Sequence, residues 1–329
     1  MTELIAVTGG AGFLGRRVVE LLLEEGYRVR SISRGDYPDL AAMGVECVRA
    51  DLADPERAAS SVAGVDAVVH CAAKAGVWGP RAGFERANVD ATRNVIEACL
   101  RHGVGRLVHT SSPSVCFDGR DHRSAGDLPL ATRFLAAYPE TKARAERMVL
   151  EANGPDLATV ALRPHLIFGP RDPHLVPRLL ERAGARRLAI VGDGTNEVSL
   201  THVDNAAGAH VDALRALAPD APCAGRGYFV ANQEPVRLWE WIAEVLERTG
   251  RPPIRRRVPL ALARTLGAAC ELLWTVGRLG GEPPMTRFVA LQLARSHSYD
   301  LSGLREDVGY VERVSLREGT EAMLASLEA

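Results

Sequence analysis

Leu4-Ile5-Ala6-Val7-Thr8-Gly9-Gly10-Ala11-Gly12-Phe13-Leu14-Gly15 opens the chain almost at its first residue, and the reading of this stretch decides the fold. A short apolar run leads into a glycine turn, and a helical pattern follows through Val18, Val19, Leu22 and Leu23. The glycines satisfy both G-x-x-G-x-x-G (Gly9, Gly12, Gly15) and G-x-G-x-x-G (Gly10, Gly12, Gly15). A plain tight turn needs fewer. Without side chains, backbone N–H groups can approach a pyrophosphate, and a helix N-terminus attracts the same charge. Gly9, Gly12, Phe13, Leu14 and Gly15 are therefore assigned to a dinucleotide.

Strand and helix signals alternate onward from this unit. Arg28–Ser33 reads as a second strand, and at its end a NAD-binding protein usually carries an acid for the ribose hydroxyls. Here stand Ser33 and Arg34. An arginine pairs with a 2′-phosphate that a carboxylate would repel, so the expected cofactor is NADP(H). Asp36 nearby keeps NAD open. Strands over 47–50 and 67–71 end in Asp51-Leu52 and Ala72-Ala73. Asp51 suits either an adenine amino group or the cap of a helix starting near Pro55. A long helix is expected over 83–102, then a strand over Arg106–Thr110 that leads into Ser111-Ser112 at the end where ligands bind.

Tyr138-Pro139-Glu140-Thr141-Lys142 follows. Proline at a first helical position puts Tyr138 at the helix mouth and Lys142 one turn on. A phenol titrates near pH 10, but an ammonium and a helix N-terminus both favour its phenolate, which makes a tunable proton donor. With six tyrosines and two lysines in 329 residues, chance supplies only about 0.04 such matches. A sixth strand over 158–162 closes with Arg163-Pro164.

Beyond residue 170 the alternation breaks into short helices, isolated strands near 188–191 and 228–230, and many prolines. The chain divides into a Rossmann-type domain over 1–170, a doubly wound parallel sheet, and a smaller α/β substrate-binding lobe over 171–329, with the return of some of its segments to the main sheet left open. Within the lobe, 258–281 is the most apolar long segment. Arg264, Glu271 and Arg278 interrupt it at intervals of seven, which rules out an ordinary spanning helix and leaves one that packs on its own domain, covers a long alkyl substrate or lies on a membrane surface. Arg255-Arg256-Arg257 precedes it and reads as a solvated strand, or as a contact for anionic lipid.

Composition is that of an ordinary globular protein, and a net charge of -1 asks for no nucleic acid. The six cysteines never approach C-x-x-C and the nine histidines form no H-E-x-x-H, so no metal is expected. Reduced cysteines and the lack of a signal-peptide pattern at the start suggest a cytoplasmic protein.

Order and spacing of Thr8 to Gly15, Asp51-Leu52, His70-Cys71-Ala72-Ala73, Asn88-Val89, Thr110-Ser111-Ser112, Tyr138-x-x-x-Lys142 and Arg163-Pro164 resemble the extended short-chain dehydrogenase/reductases over nearly the whole chain. Ala75 to Pro80, His109 to Val115 and Leu162 to Asp172, with Val191 to Gly194 and Thr201 to Asn205, resemble the 3β-hydroxysteroid dehydrogenase-type branch, and within it the bacterial reductases of 2-alkyl-3-oxoalkanoates in long-chain olefin biosynthesis. The resemblance implies Tyr138 as general acid or base, Lys142 on the nicotinamide ribose and lowering the tyrosine pKa, and Ser112 on the substrate oxygen, although Ser111 is adjacent. It places Asn88 and Pro164 at the nicotinamide end. It also implies a homodimer through helices near 83–102 and 138–153, and association with ligase-like and hydrolase-like enzymes of the same pathway. A long-chain keto acid needs a cation for its carboxylate, and Lys74, Arg81 and Arg171 are candidates. A 3β-hydroxysteroid dehydrogenase shares every one of these catalytic residues. Sugar-nucleotide epimerases and dehydratases retain NAD, which Ser33-Arg34 opposes, and dinucleotide sensors commonly lack the Tyr/Lys pair.

Overall fold

The computed structural model describes residues 2–328. Seven parallel strands, β1 (Leu4–Thr8), β2 (Arg28–Ser33), β3 (Glu46–Arg49), β4 (Ala67–His70), β5 (Arg106–Thr110), β6 (Ala158–Pro164) and β7 (Arg226–Val230), form one sheet in the order β7-β6-β5-β4-β1-β2-β3. Helices α1 (Phe13–Glu24), α2 (Ala91–His102), α3 (Ala137–Glu151) and α4 (Val203–Ala216) cover its faces. Side chains alternate along each strand. Ile5 and Val7 of β1 therefore pack with α1 and α4, while Leu4 and Ala6 pack with α2 and with the helix Pro55–Val62. Both faces of the central strands β1, β4 and β6 are buried, which is why these three are largely apolar runs. Strand order reverses between β1 and β4, and a crevice opens there at the carboxyl ends.

The division near residue 170 is not a clean cut. β7 comes from the second half yet pairs with β6 from Arg226↔Val160 to Val230↔Pro164. Conversely, His122–Ala125 from the first half is the edge strand of a separate four-stranded sheet with Val236–Arg237, Glu197–Val198 and His297–Tyr299. That lobe has its own core, built on Phe168, Trp239, Trp241 and Val245.

The helix expected over 83–102 forms, but it begins at Arg81, widens to a π-helix over Glu85–Asp90 and only then continues as α2. Gly103, at φ 66°, ends it in the left-handed cap for which glycine is suited. α3 begins at Ala137 rather than Pro139, so proline sits inside its first turn, where its lack of an N–H breaks no ladder bond. The apolar segment forms α5 (Leu260–Gly277).

Candidate active site

Close backbone approach, rather than turn geometry alone, demands the glycines at β1. Gly9 has φ 66°, and a Cβ there would lie 2.9 Å from the Ala72 Cα; a Cβ on Gly15 would lie 2.2 Å from the Gly9 carbonyl oxygen. The first helical donor of α1 is the Arg16 N–H, to the Gly12 carbonyl at 2.8 Å. The N–H groups of Phe13, Leu14 and Gly15 therefore stand at the helix mouth, free for an anion. Only their backbones serve it. The Leu14 side chain is in the core and Phe13 lines a different cavity, beside Pro170 and His202.

A cavity of about 620 Å³ runs from this turn along the strand ends and is lined by Gly9, Gly12, Ser33, Arg34, Asp51, Leu52 and Ala72. Its chemistry fits a dinucleotide. The buried Ser33 hydroxyl has no hydrogen-bond partner among the described residues, and the Arg34 guanidinium, in no ion pair among them, is near enough to Asp51 to help hold that carboxyl below its usual range. Asp36, the acid that kept NAD open, is exposed and lies 3.5 Å from an equally exposed Arg49. Asp51 does not cap the next helix, since Asp54 does so by accepting from the N–H groups of Glu56 (3.1 Å) and Arg57 (3.2 Å). Asp51 instead accepts from Arg86 at 2.7 Å and faces the cavity.

At the far end, α3 supplies Tyr138 and Lys142. Tyr138 is half-buried beside Ser112, whose hydroxyl lies 2.9 Å from that of Ser114 and favours the phenolate. Lys142 is buried, donating to the Thr110 carbonyl at 2.6 Å with its Nζ 3.2 Å from His109 Nε2. Burial lowers its pKa to about 8, against the raising influence of Glu146 one turn further along. Lys142 was expected to depress the tyrosine pKa. Tyr138 instead lies above its ordinary value, because burial outweighs the bond from Ser112 and the ammonium is directed at Thr110 and His109. Asn88, in the π segment, accepts from the Lys74 N–H at 2.7 Å and donates to Thr141 on α3 at 3.1 Å. It ties the β4 loop to α3. Pro164 is buried at the end of β6 and pairs with Val230 outside the cavity lining.

The two serines part company. Ser111 donates to Glu146, which also holds Arg163 through Nη2 at 2.6 Å and Nε at 3.0 Å, all three side chains buried. Of the two serines, only Ser112 acts on the Tyr138 phenol. Removing an oxyanion donor costs about 10²–10³ in rate. Ser112→Ala is expected to lose that much turnover, whereas Ser111→Ala loses about 1–2 kcal/mol of stability and little turnover; steady-state rates beside urea unfolding separate the two. Glu146 was missed in the sequence, although its place four residues after Lys142 on one helical face was a usable signal.

Two of the three expected carboxylate partners are already engaged. Arg81 pairs with Glu140 at 2.8 Å and Arg171 with Glu20 at 3.0 Å. Lys74 has no acidic partner among the described residues and lies 4.8 Å over the Phe84 ring. Among the described residues, no three His, Cys, Asp or Glu side chains are grouped to hold a metal ion.

A dinucleotide crevice at a strand reversal, with a tyrosine and a buried lysine one turn apart on α3 and the lysine bonded to Thr110 at the end of β5, is the architecture of an extended short-chain dehydrogenase/reductase, an oxidoreductase. The chain belongs to the 3-beta hydroxysteroid dehydrogenase/isomerase family, whose model matches residues 6–262. It is 49% identical over 328 residues, 99% of each chain, to a 2-alkyl-3-oxoalkanoate reductase of Stenotrophomonas maltophilia (strain K279a). It is 34% identical to the decarboxylating sterol-4-alpha-carboxylate 3-dehydrogenase of Mus musculus, covering 97% of this chain and 90% of that one. Among solved structures, MoeE5 in complex with UDP-glucose and NAD superimposes with a TM-score of 0.75 at 27% identity, over 98% of both chains.

Proposed function

We propose that this protein reduces the 3-keto group of a long-chain 2-alkyl-3-oxoalkanoic acid to the 2-alkyl-3-hydroxy acid with NADPH, as a step of long-chain olefin biosynthesis. The observation that carries the substrate is the 49% identity along 99% of the chain with a reductase of that name. The mouse relative's name describes related chemistry, an oxygen on the carbon next to the one bearing a carboxylate. A 3β-hydroxysteroid dehydrogenase is therefore the second reading. NADP(H) rests on the unpartnered Ser33 hydroxyl and on the Arg34 guanidinium, free of any ion pair among the described residues, at the end of β2.

Bound NADPH supplies the hydride. The Ser112 hydroxyl donates to the ketone oxygen and fixes its position beside Tyr138. The Tyr138 hydroxyl gives its proton to that oxygen as negative charge develops, and its raised pKa keeps it a phenol before transfer. Lys142, a cation below a pH of about 8, holds the nicotinamide ribose and so keeps the hydride aligned with the ketone carbon.

Run backwards, the reaction avoids an unstable β-keto acid. Purified protein given NADP⁺ and a long-chain 2-alkyl-3-hydroxyalkanoic acid is expected to form NADPH, with little from a 3β-hydroxysteroid. Arg34→Ala is expected to cost about 10–100-fold in NADP⁺ use and to leave NAD⁺ use unchanged. Turnover of the steroid alone would refute the substrate, and unchanged NADP⁺ use by the Arg34 variant would refute the cofactor assignment.

A further inference from the structure

Arginine fills almost every basic position of this chain: of its 40 basic residues only two, Lys74 and Lys142, are lysine. Lys142 belongs to the site already described. Lys74 has no such explanation, and its cation–π contact does not give one, because a guanidinium would lie over the Phe84 ring at least as well as an ammonium does. Space does explain it. A Cβ on Gly83 would lie 2.9 Å from Lys74 Nζ and one on Gly79 3.9 Å, so the ammonium occupies a notch left by two glycines. The wider planar fork of an arginine does not fit such a notch.

Half-buried and without an acidic partner among the described residues, Lys74 is nevertheless held in place. Asn88 grips its backbone on both sides, accepting from its N–H at 2.7 Å and donating to its carbonyl at 3.1 Å. The same amide donates to Thr141 at 3.1 Å, which indexes Lys74 to the helix that carries Tyr138. Acids on the segments around it are already paired with arginines: Glu85 with Arg144, Glu140 with Arg81, Glu271 with Arg287 and Glu282 with Arg178. Lys74 itself lines the dinucleotide cavity. Gly79, beside its ammonium, lines a second cavity of about 140 Å³ together with Trp78, Leu135 and Ala137, the residue before Tyr138. The ammonium therefore stands between the crevice and a space at the start of α3.

We propose that Lys74 receives the substrate's carboxylate and so makes the protein selective for 3-oxo and 3-hydroxy acids over their uncharged counterparts. This rests on the reading of the site as one for a 2-alkyl-3-oxoalkanoate. In such an acid the carboxylate carbon and the ketone carbon are both bonded to C2, so the cation for one has to be fixed relative to the groups that act on the other. Of Lys74, Arg81 and Arg171, Lys74 alone is unpaired and tied to α3. A compact ammonium meets the carboxylate as a point charge and leaves Ser112 and Tyr138 to the ketone oxygen. The cofactor's pyrophosphate, the other anion within the crevice, already has the turn at Gly9 to Gly15.

The test compares steady-state oxidation of a long-chain 2-alkyl-3-hydroxyalkanoic acid and of its methyl ester with NADP⁺, by the wild type, Lys74→Met and Lys74→Arg. The wild type is expected to prefer the acid. In Lys74→Met the ratio of kcat/KM for acid over ester is expected to fall about 10–100-fold, chiefly through KM for the acid, with KM for NADP⁺ little changed. Lys74→Arg, which keeps the charge and loses the fit, should lie between the two. A wild type that uses acid and ester equally, or a methionine variant that keeps the wild-type ratio, overturns the assignment of Lys74 and leaves the substrate reading standing. A rise in KM for NADP⁺ with the acid-to-ester ratio intact also overturns it and gives the lysine to the pyrophosphate. Turnover of a 3β-hydroxysteroid with neither acid nor ester used would instead remove the substrate reading, and this assignment with it.

Discussion

Tyr138→Phe is expected to lower turnover by about 10²–10⁴-fold and to leave NADPH binding nearly unchanged, since the substitution removes one hydroxyl from a half-buried ring and no cleft contact. The pH dependence separates its role from that of Lys142. Burial holds Lys142 at about 8, so its ammonium is present below that pH and lost above it, while Tyr138, raised above its ordinary value, stays a phenol across the same range. The reducing rate should therefore decline as pH rises through about 8. Lys142→Arg, a permanent cation, should abolish that decline even where it lowers the plateau. A decline that persists in the arginine variant would mean that another group sets the limb.

The second large effect is expected at Glu146. Its carboxylate is fully buried and holds Arg163 on β6 and Ser111 on the loop after β5. It also favours the charged form of Lys142. Glu146→Ala leaves a buried guanidinium without its partner, which costs about 3–5 kcal/mol, measurable by urea unfolding. Replacing both partners together, as Glu146→Leu with Arg163→Met, should restore most of that stability, because two buried charges are then removed rather than one stranded. Activity should not return with it, since Lys142 has lost the anion one turn away. A double variant as active as the wild type would show that the network serves only packing.

Much of this was legible in the chain because it is written in local patterns. Gly9 to Gly15, Ser33-Arg34 and Tyr138-x-x-x-Lys142 each lie within a turn or two, and the carboxyl-end rule for parallel strands placed them along one edge of the sheet. What depends on packing was not legible. No local signal says that β7 leaves the second half of the chain to pair with β6, because a five-residue strand has no address in its own sequence. The Tyr138 pKa went the other way because burial, a property of the folded surroundings, outweighs a neighbour one turn away. Arg81 and Arg171 looked free in sequence and are spent on Glu140 and Glu20, 59 and 151 residues away along the chain. On α5, spacing identified the stripe of Arg264, Glu271 and Arg278; that its middle member turns inward and the leucines outward followed from where Thr286 and Arg287 dock.

Isotope transfer tests the central claim most directly. Purified protein is offered NADP⁺ and a long-chain 2-alkyl-3-hydroxyalkanoic acid carrying deuterium at C3, and the cofactor is examined by mass spectrometry. The account predicts deuterium on the nicotinamide of NADPH, at a rate that Tyr138→Phe suppresses. NADP⁺ that binds but acquires no deuterium would contradict it.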